Sequence, residues 1–152
     1  MRKIVSYNKG LLPLIIAVMM TSTMTARATE QHPEYLTALA DLRAARWLID
    51  HHPSITWVQS TDEANAIKAI DAAIEEINKA GIDDGKDIDD HAKVQEIPDR
   101  GGRLRRAIEL FKQIQQRINE KEDDSFAHGL RGRIVQHIDL AIRFTNKAIL
   151  TR

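Results

Sequence analysis

Five carboxylates and a histidine crowd one short stretch of this chain: Asp83, Asp84, Asp87, Asp89, Asp90 and His91, inside GIDDGKDIDDHAKVQEIPD (81–99). Together with His32 they offer imidazole nitrogen and carboxylate oxygen. That donor set suits zinc, copper, nickel or iron, and carboxylates alone suit calcium. The expected divalent-metal ligands are His32, Asp83, Asp84 and His91. DDGKD lacks the alternating oxygen donors of a calcium loop. The plainer expectation is a solvated acidic loop that pairs with Arg100, Arg103, Arg105 and Arg106. His51, His52 and His128 form a second group. Adjacent helical residues point about 100° apart, so His51 and His52 do not chelate together without a turn. Trp47 and Trp57 flank that turn, and with Ile55 and Val58 they offer either an aromatic pocket or the closed end of a core.

Reaction chemistry finds no template. The chain has no GxSxG, HExxH or glycine-rich phosphate loop. It has no cysteine, which excludes a thiol nucleophile, covalent c-type haem, a lipoprotein attachment site and any disulfide. The Glu-x-x-His pairs of di-iron bundles are absent. His137 stands one residue before an apolar stripe and is the one histidine placed inside a helix core pattern.

Four amphipathic segments must position these residues. Apolar residues recur at three- and four-residue steps in 33–50 (Tyr35, Leu36, Leu39, Leu42, Ala45, Ile49) and 61–80 (Ile67, Ile70, Ile74, Ile77). They do so again in 103–120 (Leu104, Ala107, Phe111, Ile114, Ile118) and 130–150 (Val135, Ile138, Ile142, Thr145, Ile149). Each stripe marks a helix that packs on others. Pro33 suits a first helical turn, Ser60 and Glu63 suit a capping box, and Gly81 suits a C-terminal stop. Asp124 or Ser125 is placed to cap the last helix. The fold expected is all-α, an antiparallel up-down four-helix bundle of two hairpins.

A pseudo-repeat supports that arrangement. AIDAAIEEINKA (69–80) and HIDLAIRFTNKA (137–148) match at 7 of 12 positions with an offset of 68. Helices two and four are thereby equivalent, and 81–99 has no counterpart. Up-down order puts His32, the acidic linker, His91 and the arginines of helix three at one end. The other end gathers His51, His52, Asp62, Glu63, Glu122, Asp123, Asp124 and His128. Asp71 and Asp139 flank core positions and are expected to pair with Arg43, Arg46 or His137.

The ends and the charge bound the setting. Arg2, Lys3 and Lys9 precede the apolar run Leu11 to Met20, and Ala26-Arg27-Ala28 supplies a small-residue cleavage site. This is the layout of a secretory signal peptide over 1–28, cleaved after Ala28, ahead of one domain over 29–152. The run is about half the ~20 residues a spanning helix needs. Four of the 22 basic residues lie in 1–28, which leaves 18 against 22 acidic, a formal charge of about −4. A nucleic-acid binder needs a basic excess instead.

The strings HPEYLTALADLRAARWL (32–48), AIDAAIEEINKAGIDDGKDIDDH (69–91), GRLRRAIELF (102–111) and GLRGRIVQHIDLA (129–141) resemble a family of small secreted bacterial helical proteins with no established activity. The resemblance implies secretion and a single domain, and it carries over no functional residue. The function expected is therefore a periplasmic or secreted binding or interaction module without catalysis, for a protein or small-molecule ligand, with its working surface at the acidic linker. Two readings stand beside it. One is divalent-metal storage, sensing or redox use. The other is self-assembly into homo-oligomers through apolar stripes.

Overall fold

The computed structural model describes residues 32–51, 58–119 and 129–151. The expected signal peptide over 1–28, the His52 and His128 positions, Ile55, Trp57 and the expected caps Asp124 and Ser125 lie outside them. Four helices form the described part: α1 (Pro33–Asp50), α2 (Thr61–Lys79), α3 (Arg100–Asn119) and α4 (Leu130–Leu150). No strand occurs among the described residues. No helix there is long and apolar enough to cross a membrane.

Local chemistry sets the helix ends. Pro33 begins α1, where its missing N–H has no intrahelical partner to lose. Ser60 caps α2: its hydroxyl accepts from the Glu63 amide at 3.1 Å, and the Glu63 carboxylate accepts from the Ser60 amide at 2.8 Å. Gly81 follows α2 at φ 75°, a left-handed turn that glycine adopts without a steric penalty. The Asp99 carboxylate accepts from the Gly102 amide and opens α3.

The core is a single apolar cluster drawn from all four helices. Leu39, Leu42 and Leu48 of α1 meet Ile70, Ala73 and Ile77 of α2, Leu104, Phe111 and Ile114 of α3, and Ile134, Ile138 and Ala141 of α4. In α4 the buried stripe is Leu130, Ile134, Ile138, Ala141, Thr145 and Ala148, while Val135, Ile142 and Ile149 stand at its edge. The small side chains Ala141 and Ala148 are fully buried where larger neighbours are not. Close helix approach, more than side-chain size, thus selects the face.

Each helix packs on two others: α1 and α4 both pack on α2 and on α3, leaving α1 diagonal to α4 and α2 diagonal to α3. Side-chain pairs fix their directions. Arg117, near the end of α3, binds Asp41 at 2.7 Å and reaches Glu34, near the start of α1. Arg133, at the start of α4, binds Glu76, at the end of α2. Arg100, which opens α3, binds Glu63 at the start of α2 at 3.0 Å and the Thr151 carbonyl just past α4 at 3.3 Å. Packed neighbours are therefore antiparallel, but α2 and α3 run the same way. The order is up-down-down-up, which corrects the expected up-down succession. The physical cause is the 80–99 connection. It does not turn back at one end. It runs the length of the bundle, starting where α2 ends and finishing beside the start of α2.

Candidate binding site

The acidic connection is a strap laid along α1. Arg43 is 2% exposed and donates to both carboxylate oxygens of Asp84, at 2.9 and 2.8 Å. Its second terminal nitrogen also reaches the Lys86 carbonyl at 3.4 Å. One turn on, Arg46 donates to Asp71 of α2 and to Asp89 of the strap, both at 2.9 Å. Next comes Trp47, whose ring lies 4.9 Å from His91 and stacks on His51 at 4.3 Å with an interplanar angle of 15°. Farther along, Arg103 of α3 donates to the carbonyls of Ile97 and Pro98, at 3.4 and 3.1 Å. Successive turns of α1 thus hold successive residues of the strap in parallel register.

Electrostatics follow this geometry. The hydrogen bonds from Arg43 hold the Asp84 carboxyl below its ordinary range, against a smaller opposing effect of burial. Burial pushes Glu63 upward, yet the Ser60 amide and the Arg100 guanidinium together bring it below its ordinary value. Arg103 is depressed, first by desolvation.

The expected metal ligands do not meet. His32 is buried at the start of α1, edge-on to Tyr35 at 6.1 Å. His91 sits against Trp47, fifteen residues along the same helix, a rise of ~22 Å. Asp84 is engaged by Arg43, and Asp83 accepts from the Gly85 amide at 2.9 Å within its own turn. Among the described residues no group of three or more His, Cys, Asp or Glu is placed to hold a metal ion. The separation follows from the strap, which carries His91 away from the end that holds His32. The same geometry moves Arg100 and Arg103 to the end holding His51 and Glu63. The acidic loop does meet arginines: Asp84 and Asp89 pair with those of α1, and of the four expected α3 arginines Arg105 pairs with it, through Asp99. Asp71 pairs with Arg46 as expected, whereas Asp139 accepts from Gln115 at 2.7 Å.

The strap closes two hollows. One, of about 210 Å³, is lined by Trp47, His51, Glu96, Ile97, Pro98 and Arg103. The other, of about 280 Å³, lies between α1 and α3 under residues 92–97 and is lined by Asp41, Ala44, Arg106 and Leu110. Val58, expected beside the tryptophans, is 82% exposed. Sequence patterning named Arg43 and Arg103 as pairing partners but passed over their burial. Their signal was positional. Arg43 falls four residues after Leu39 and Arg103 four before Ala107, so each stands on an apolar stripe.

No family model matches the chain, and no curated protein or solved structure matches it.

Proposed function

We propose that this chain is an exported, non-catalytic binding module whose working surface is the face where the strap crosses α1 and α3. The observation that carries this reading is the anchored strap itself. An acidic connection with many solvated alternatives is instead held by two arginines and a tryptophan of α1, and it walls a cleft that contains a buried cation. Long ordered connections in compact domains are most often functional.

Export is supported by the charged, apolar and small-residue succession of 1–28 and by the likeness to small secreted helical proteins. The pseudo-repeat supports a scaffold of two related hairpins. Ile70 and Ile138, Ala73 and Ala141, and Ala66 and Ile134 are buried in the same register. Asp71 and Asp139 each accept a hydrogen bond from the first helix of their own hairpin. The strap has no repeat counterpart, so function is assigned to it.

Amide chemical-shift mapping tests the reading. The chain is titrated with a panel of small anionic, cationic and neutral aromatic compounds. Shifts should gather on residues 84–98 and on the facing turns of α1 and α3. Shifts scattered over the surface, or confined to the outer faces of α2 and α4, would overturn it.

A further inference from the structure

We propose that the cleft at the strap's far end is a carboxylate site, in which Arg103 holds the carboxylate of a small monoanion with a planar apolar body. This rests on the strap face being the working surface and names the ligand class for it.

Arg103 is 3% exposed and lines the cleft. A guanidinium carries five N–H donors. One terminal nitrogen donates to the Ile97 and Pro98 carbonyls, and the buried Nε has no partner. The Nε of Arg43 is unpartnered too, but there Asp84 takes the two terminal nitrogens with both oxygens. Of the acids near Arg103, Glu63 is hydrogen-bonded by Ser60 and Arg100 and Asp99 by the Gly102 amide and Arg105, while Glu96 lines the same cleft. Neutral carbonyls are thus the hydrogen-bond partners of Arg103, and desolvation depresses it despite the through-space charges of Glu63 and Asp99. A bound carboxylate adds a directly hydrogen-bonded negative charge and matches the planar fork, which a point charge does not need.

The walls define the rest of the ligand. Trp47, with His51 stacked on it and His91 4.9 Å away, lines the cleft together with His51, Ile97 and Pro98. Flat rings stack favourably on such a surface. The 210 Å³ hollow is small, which limits the ligand to about one ring and its carboxylate. Glu96 also lines the cleft and repels a second negative charge, hence the monoanion.

Benzoate is the probe, with benzamide and phthalate as controls. The chain carries Trp57→Phe so that Trp47 reports alone. Benzoate should quench Trp47 saturably and bind about tenfold more tightly than benzamide. Phthalate should bind more weakly than benzoate. Arg103→Lys, which keeps the charge and loses the fork, should weaken benzoate about fivefold, and Glu96→Gln should tighten it about threefold. Equal affinity for benzoate and benzamide, unchanged affinity in Arg103→Lys, or no saturable quenching at millimolar benzoate would overturn the carboxylate site. If cations or neutral rings from the panel still shift the strap residues, the strap surface stands and only the ligand class fails. If nothing shifts them, both fall.

Discussion

Arg43 reaches out of the core of α1 to a carboxylate on the chain just past the end of α2, at most ~18 Å of chain beyond Lys79, and the two groups are matched oxygen for nitrogen. Removing one partner of such a pair leaves a charge without compensation. Asp84→Ala should therefore cost about 3 kcal/mol, near the low end for a buried pair, because Asp84 stays 18% exposed. Arg43→Met with Asp84→Ala should cost less than Asp84→Ala alone, since no orphaned charge remains. Urea unfolding of the two variants beside the unaltered chain checks both statements. Acid sensitivity belongs to the same scale. Asp84 and Glu63 titrate lower in the folded chain than their ordinary values of 3.8 and 4.5. Their stabilisation is complete above those values and is lost as pH falls through the lower folded ones. The urea midpoint should hold steady down to about pH 4.5 and then fall, and Asp84→Asn should flatten that fall.

At the scale of elements, the ends of α2 and α3 carry the sharpest local requirements. Ser60→Ala removes one half of the capping box and should cost about 1 kcal/mol in thermal or urea unfolding. Two helical glycines offer opposite outcomes. A Cβ on Gly102 would stand 2.8 Å from Cγ2 of Ile97 and 3.1 Å from the Asp99 carboxylate. Gly102→Ala should thus lose about 1 kcal/mol despite the better helix propensity of alanine, and speed amide exchange over residues 92–98. Gly132 has nothing within 4 Å of the same position. There alanine should add about 0.5–1 kcal/mol, because only the propensity changes. Amide exchange separates the two, since only the Gly102 variant disturbs the strap.

For the whole molecule, the direction of α3 is the testable quantity. The chain has no cysteine, so introduced pairs report without background. Glu34→Cys with Arg117→Cys should join rapidly through a short bismaleimide, because the native side chains approach to 3.8 Å. Glu34→Cys with Arg105→Cys should not, because Arg105 lies near the opposite end of a helix ~30 Å long. Mass spectrometry of the linked products decides between the two directions, as an up-down succession would reverse both results.

Helix positions, caps and most of the core were legible in the residues. Period and capping are local: Leu39, Ile70, Phe111 and Ile138 announce a buried face through spacing alone, and Ser60 with Glu63 announces a helix start through side chains three residues apart. The candidate site was legible only in its ingredients. An amphipathic stripe packs against a neighbour in either direction, so it does not reveal which way α3 runs. A short turn would have forced reversal after α2. The twenty residues of 80–99 reach up to ~66 Å, more than twice the length of the bundle, and lift that constraint. Tertiary pairs then decided the matter: Arg117 with Asp41, Arg100 with Glu63, and the arginines of α1 with Asp84 and Asp89. Residue types and their spacing determined the four helices. Only the packed structure determined that the strap separates His32 from His91 and brings Arg103 to Trp47, because charge pairing across elements depends on where long-range packing places each end.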